Sequence, residues 1–229
     1  TIPRLFWNRV CENGMKIALR EKDFGIWNEY SWAEYGEQAR LTGLGLKALG
    51  LNRGDVCAIA SEITKEWLFS DLGIVCTGAI CNGIYPTDAA EQVEYLINDS
   101  GTRFYFAENE EQLDKVLEVR DHALSLEKII IFDMEGLRGL EDPQCLSFES
   151  LQELGRIYGE RHPESWIAEI EAAQTDDLMV LTYTSGTTGP PKGAMITQRN
   201  MLYMMQTLQH VYDIGRNDHQ LAFLPLAHI

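Results

Sequence analysis

The strongest constraint on this chain is an alternation. Strand-like apolar runs at 56–60, 79–84, 103–107 and 128–132 are separated by helical patterns at 64–76, 88–98 and 110–124. A strand, one helix and another strand make a unit whose strands pair in parallel through a right-handed crossover. The fold class expected is therefore α/β, with mostly parallel sheets flanked by helices. No sequence repeat accompanies the alternation.

Upstream, 5–12 reads as a short amphipathic helix, and 16–21 and 26–30 as strands joined by a turn at 22–25. Ser31-Trp32-Ala33-Glu34 is a capping box. The helix it opens carries Trp32, Tyr35, Ala39, Leu46 and Leu49 on one face, and Gly50 stands where a helix ends. Asp88 and Glu91 read as the cap pair of a later helix. Downstream, 134–147 is loop-like, 148–158 and 164–172 are helical, and 174–177 is a polar boundary. Short strands at 179–183 and 194–197 follow, then a helix at 198–212 and a last strand near 220–224. The five tryptophans, and Met201, Met204 and Met205, read first as packing residues.

The stretch LTYTSGTTGPPKG, residues 181–193, joins those two short strands. Glycines let backbone N–H groups turn toward a ligand without a Cβ in the way, and successive amides form a concave anion site. The hydroxyls of Thr184, Ser185, Thr187 and Thr188 add donors, Pro190 and Pro191 stiffen the exit, and Lys192 supplies a mobile positive charge suited to phosphate. The ligand this chemistry wants is a polyphosphate. The loop is neither a Walker loop, because Pro191 precedes Lys192 and Gly193 follows it, nor a G-x-G-x-x-G loop, because Gly186 and Gly189 supply only G-x-x-G.

The formal net charge of −16 over 229 residues argues against nucleic acid and against a purely electrostatic hold on anionic membrane. The five cysteines, Cys11, Cys57, Cys76, Cys81 and Cys145, include no C-x-x-C pair of the kind a zinc site uses, and read as reduced thiols. No stretch of these residues reads as a signal peptide, and no apolar run approaches ~20 residues. The compartment expected is the cytoplasm, with peripheral association at the inner membrane face left open. The chain begins with Thr1 and stops at Ile229 just after an apolar run, which reads as a piece of a longer protein.

Residues 183–193 closely resemble the signature loop of the AMP-forming adenylating enzymes, which include acyl-CoA synthetases, luciferases and the adenylation domains of peptide synthetases. The resemblance runs on through YSWAEY at 30–35, GDVCAIA at 54–60 with Glu66-Trp67, and FLPLAHI at 223–229. GAICNGIYPT at 78–87, EQVEY at 91–95 and NDSG at 98–101 resemble the bacterial-type long-chain fatty acyl-CoA synthetase branch in particular.

The resemblance implies the N-terminal part of the adenylating-enzyme fold: residues 1–175 as one α/β subdomain and 176–229 as the start of the ATP-binding subdomain. It implies a reaction in which a fatty acid and ATP give an acyl-adenylate that coenzyme A then captures. Thr184, Ser185, Gly186, Thr187, Thr188, Gly189 and Lys192 would hold the β- and γ-phosphates, Thr184 would also help hold Mg²⁺, and His228 would lie near the acyl carboxylate. The adenine motif, ribose acid, hinge and catalytic lysine of such enzymes fall beyond residue 229, so the piece alone is expected to be inactive and to bind ATP weakly. The rival within the class is activation of an aryl, short-chain or amino acid. Outside it are an NTPase and a non-catalytic nucleotide-binding module.

Overall fold

A computed structural model describes residues 1–184, 189–213, 215 and 218–228. The chain opens with helix α1 (Ile2–Asn13) and an antiparallel hairpin, β1 (Ile17–Asp23) and β2 (Ile26–Ser31). Helix α2 (Trp32–Ala48) follows directly. The Ser31 hydroxyl accepts from the Glu34 amide while the Glu34 carboxylate accepts from the Ser31 amide, so the expected capping box closes two orphan donors reciprocally. Gly50, at φ 94°, takes the left-handed position just past the helix end.

The alternation then gives β3 (Val56–Ala60), α3 (Lys65–Cys76), β4 (Ile80–Ile84), α4 (Ala90–Ser100), β5 (Thr102–Ala107), α5 (Glu110–Val119) and β6 (Lys128–Ile131). Beyond these come β7 (Cys145–Ser147), α6 (Phe148–Arg161), α7 (Ser165–Ala172), β8 (Leu178–Thr184), β9 (Lys192–Thr197), α8 (Gln198–Val211) and a closing 3-10 turn (Leu226–His228). Seven strands form one sheet in the order β7-β6-β5-β3-β4-β8-β9, parallel throughout except for the final β8–β9 pair.

Side chains alternate across a strand, so a strand covered on both faces needs apolar residues at both parities. Cys57 and Ile59 enter the core under α1, α2, α3 and α6, with Phe104, Phe106 and Ile130 beside them. Ala58 and Ala60 enter the second core, under α4 and α5, with Tyr105, Ile129 and Ile131. The expected α/β class and parallel sheet are what the fold shows.

Several local expectations change. The α4 cap is Ala89, not Asp88, and it is Gln92 that reaches back to the Ala89 amide. Helix α5 stops at Val119 because the chain leaves it through successive three-residue turns, His122 to Val119 and Ala123 to Arg120. Within the stretch read as loop, Cys145–Ser147 pairs with β6; three residues carry too little periodicity to show, and the partner strand supplies the order. Near 220–224 there is no strand among the described residues, and Leu221 and Phe223 are exposed. Trp27, Met204 and Met205 are exposed rather than packed, whereas Met201 does pack against the core.

Helices α2 and α6 approach until backbone nearly touches backbone. A Cβ at Gly155 would fall well inside van der Waals distance of the Leu41 carbonyl oxygen, and one at Gly45 would meet that of Leu151. Gly155→Ala is therefore expected to cost about 1–3 kcal/mol or more through overpacking, read as a lowered denaturant midpoint at unchanged slope.

Asp71 of α3 lies beside the Cys81 thiol of β4, and burial raises its carboxyl from the ordinary 3.8 to about 6, with the thiol contact opposing the shift. The folded state thus holds this proton more tightly than the unfolded state does. Its stabilising contribution is complete below pH about 4 and is lost as pH rises through about 6. Asp71→Asn should remove that component: denaturation series from pH 4 to 7 should show a smaller decline than wild type, and a more stable variant at pH 7.

Candidate functional site

Ligands of open parallel sheets collect beyond the carboxyl ends of the strands. β4 and β8 run side by side in parallel, through Cys81↔Val180 and Asn82↔Leu181, so their carboxyl ends open on one rim. The loop leaves β8 there and returns antiparallel as β9, with Thr184 and Lys192 as register partners at the mouth of the hairpin, both exposed. Gly189 sits at the loop exit with φ 91°, a backbone open to glycine at little strain. Ser185, Gly186, Thr187 and Thr188 lie outside the described residues.

Two tyrosines brace this hairpin against α4. The Tyr95 hydroxyl donates to the Pro191 carbonyl at 2.8 Å, fixing the loop exit. The Tyr183 hydroxyl donates to Asp99 at 2.7 Å, and the two rings meet edge to face at 6.5 Å. Burial pushes the Tyr183 phenol up, and the Asp99 carboxylate adds to the shift, so both keep the proton on the donor. Reading the sequence missed this brace. Its signal was available: Glu91, Tyr95 and Asp99 stand four residues apart, on one face of a helix that would pass beside the loop.

Between α4 and the hairpin lies a cavity of about 520 Å³. Asp88, Glu91 and Thr184 bring oxygen donors to its wall, and Tyr95, Leu96 and Tyr183 bring ring and aliphatic surface. Burial raises the Asp88 carboxyl, opposed by the Tyr85 backbone and by Lys115. The cavity wall is thus acidic on the α4 side, and Pro191, next to Lys192 in the chain, lines it on the hairpin side. Among the described residues no cluster of three or more His, Cys, Asp or Glu could hold a metal ion.

On the other face of β4 the turn Leu226–His228 docks over Gly83. A Cβ there would stand 2.6 Å from the Ala227 Cα, so the backbone contact requires glycine. Leu226 and Ala227 are buried and, with Trp67, Asp71 and Met179, close a small cavity of about 60 Å³. The backbone of His228 is thereby brought to the carboxyl end of β4, while its side chain lies outside the described part. The site residues named from sequence come from two segments, the loop at 184–192 and His228; of these Thr184, Gly189, Lys192 and the backbone of His228 are described, at the carboxyl end of the β4–β8 pair.

The model of the AMP-binding enzyme family matches residues 6–229. The bovine long-chain-fatty-acid–CoA ligase ACSBG1 is 31% identical over all of this chain, which covers 31% of its length. The Xenopus laevis ligase ACSBG2 is 30% identical, again over all of this chain and 31% of its own. The chain thus spans under a third of the length of these curated relatives. Among solved structures, the anthranilate CoA ligase AuaEII in complex with anthranoyl-AMP superposes with a TM-score of 0.74 at 24% identity, over 89% of this chain and 36% of that one. The luciferase-like enzyme of the mealworm Zophobas morio gives 0.71 at 18% identity, over 90% and 45%. The fold is that of these enzymes, and the family match, which takes in all but the first few residues, shows that the chain belongs to the AMP-binding enzyme family.

Proposed function

We propose that this chain is the phosphate-gripping portion of an AMP-forming ligase that joins long-chain fatty acids to coenzyme A. The observation that carries the reading is the loop held between β8 and β9 at the carboxyl rim of the parallel sheet, with Thr184 and Lys192 paired at its mouth. Support for the substrate class comes from relatives named as long-chain-fatty-acid–CoA ligases. We assign 176–229 to the start of the nucleotide-binding subdomain and 1–175 to its neighbour, although β8 and β9 extend the same sheet.

In the proposed reaction a carboxylate oxygen attacks the α-phosphorus of ATP. The bond to the bridging oxygen breaks, and pyrophosphate leaves with its electron pair. The thiolate of coenzyme A then attacks the acyl carbon and AMP departs. Two anions must approach each other and charge collects on the leaving group, so catalysis here is positioning and electrostatic stabilisation. Lys192 would offset charge on the β- and γ-phosphates, and residues 184–189 would hold them with backbone and hydroxyl donors. The Tyr95–Pro191 bond would keep the loop exit in place while charge shifts. His228 would flank the carboxylate.

Magnesium takes oxygen ligands and keeps few protein contacts beyond one or two carboxylates and substrate phosphates. Thr184, at the mouth of the loop, offers a hydroxyl oxygen that fits that demand beside the phosphates and would help hold the ion. The ion would supply further neutralisation of the phosphates.

The test is carboxylate-dependent exchange of labelled pyrophosphate into ATP by the full-length protein, with acids from acetate to palmitate. Exchange should appear with long acids and fall about a hundredfold in Lys192→Ala. A folded full-length protein that supports no exchange with any acid would overturn the proposal. Exchange confined to aryl, short-chain or amino acids would keep the adenylation and replace the substrate.

A further inference from the structure

The β1–β2 hairpin ends in a turn that is unfavourable twice over. Phe24 has φ 44° and Gly25 φ 84°, so two successive residues sit in the left-handed region. Tight hairpin turns of that kind favour Asn or Asp before Gly, and a bulky aromatic there is a strained choice. The same Phe24 is 99% exposed, with Ile26 at 68% and Trp27 at 54% beside it. Neither strain nor exposure contributes to folding.

The base of the hairpin, by contrast, is fixed. Leu19 and Tyr30 pack against the main core, and the Tyr30 ring meets Phe69 edge to face at 6.2 Å. Its flanks are tied by Arg20–Glu29 at 2.8 Å and Lys65–Glu21 at 3.0 Å. A rigid stem therefore carries an apolar apex out into solvent. Just behind that apex, the Lys22 ammonium lies over the Trp27 ring at 5.9 Å.

We propose that this hairpin tip is a membrane anchor that inserts into the surface of an electrically neutral bilayer. The three apolar side chains offer roughly 400 Å² of contact, below the ~800 Å² per partner that a stable protein interface uses. A convex apex finds no complementary wall on a flat protein surface, whereas lipid conforms to it. An aromatic apex, a Trp one residue pair behind it and a Lys whose ammonium stands over that ring match the order of groups met on entering a bilayer from its core to its headgroups.

Charge selects the kind of surface. Lys22 and Asp23 cancel at the tip, and the chain as a whole is at −16, so anionic lipid gives no attraction. Among the described residues no helix is long and apolar enough to cross a membrane, so a tip that dips into one leaflet supplies a contact of a different kind. Such an anchor would serve an enzyme whose substrate dissolves in bilayers; that purpose, though not the anchor itself, rests on the ligase reading.

The experiment is sedimentation of the full-length protein with phosphatidylcholine vesicles, free of fatty acid and nucleotide, for wild type, Phe24→Asn and Phe24→Trp. Wild type and Phe24→Trp should bind. Phe24→Asn should bind at least about tenfold more weakly, because one buried aromatic is lost. Its melting temperature should be unchanged or higher, because Asn suits the left-handed position. Adding phosphatidylserine should not strengthen binding. Wild type that stays in the supernatant, or Phe24→Asn that binds as well as wild type, would overturn the anchor. So would a wild-type dimer that Phe24→Asn dissociates, since the tip would then belong to a second copy. Pyrophosphate exchange on the same preparations separates the two readings: exchange without vesicle binding sinks the anchor alone, and vesicle binding without exchange sinks the ligase.

Discussion

The site depends on one pairing. β8 joins the sheet through two register positions on β4, Cys81↔Val180 and Asn82↔Leu181, and the loop hangs from that attachment. Parallel neighbours share a direction, so wherever β4 ends, β8 also ends, and the loop is delivered to the carboxyl rim without further machinery. The sheet behind it is stiff because its central strands are covered on both faces by apolar layers. Tyr95 and Tyr183 brace the two ends of the loop from the side, one at Pro191 and the other at Asp99.

A face of β4 is used just as closely as its edge. Gly83 leaves a gap of one side chain in the strand, and the turn Leu226–His228 occupies it. A single strand thus positions two segments that are 34 or more residues apart in sequence, counted from Lys192 to Leu226, one along its edge and one over its face. Neither segment needs to find the other, because each finds β4. This economy explains why the strand's sequence reads Ile-Cys-Asn-Gly-Ile rather than as a uniform run of branched residues.

Much of this was legible in the residues because the signals were local and repeated. The strand–helix alternation, the Ser31–Glu34 box and the glycine-rich loop each rest on a few neighbouring positions whose physics does not wait for tertiary contacts. What escaped was non-local. Cys145–Ser147 becomes a strand only because β6 offers it a ladder. The Tyr183–Asp99 bond spans 84 residues, and its one sequence signal, the four-residue spacing on α4, lies far from Tyr183. Trp27 failed the expectation that it packs inside, and exposure of such a residue carries more information than burial of others. The Met204 and Met205 expectation failed for the same reason, since an amphipathic pattern states that a face is apolar but not what covers it.

The attachment of β8 has a further consequence in the order of folding. The hairpin, α2 and the β3–β6 units close through contacts between neighbours in sequence, whereas β8 must return across the whole of α4 to α7 before it can pair with β4. The turn at Ala227 must come back from farther still to meet Gly83. Closing long loops is slow because their entropy must be lost before any contact repays it. The rim is therefore expected to close late among these elements, after the β3–β6 scaffold, because the strand that carries the phosphate loop has the farther to return to β4.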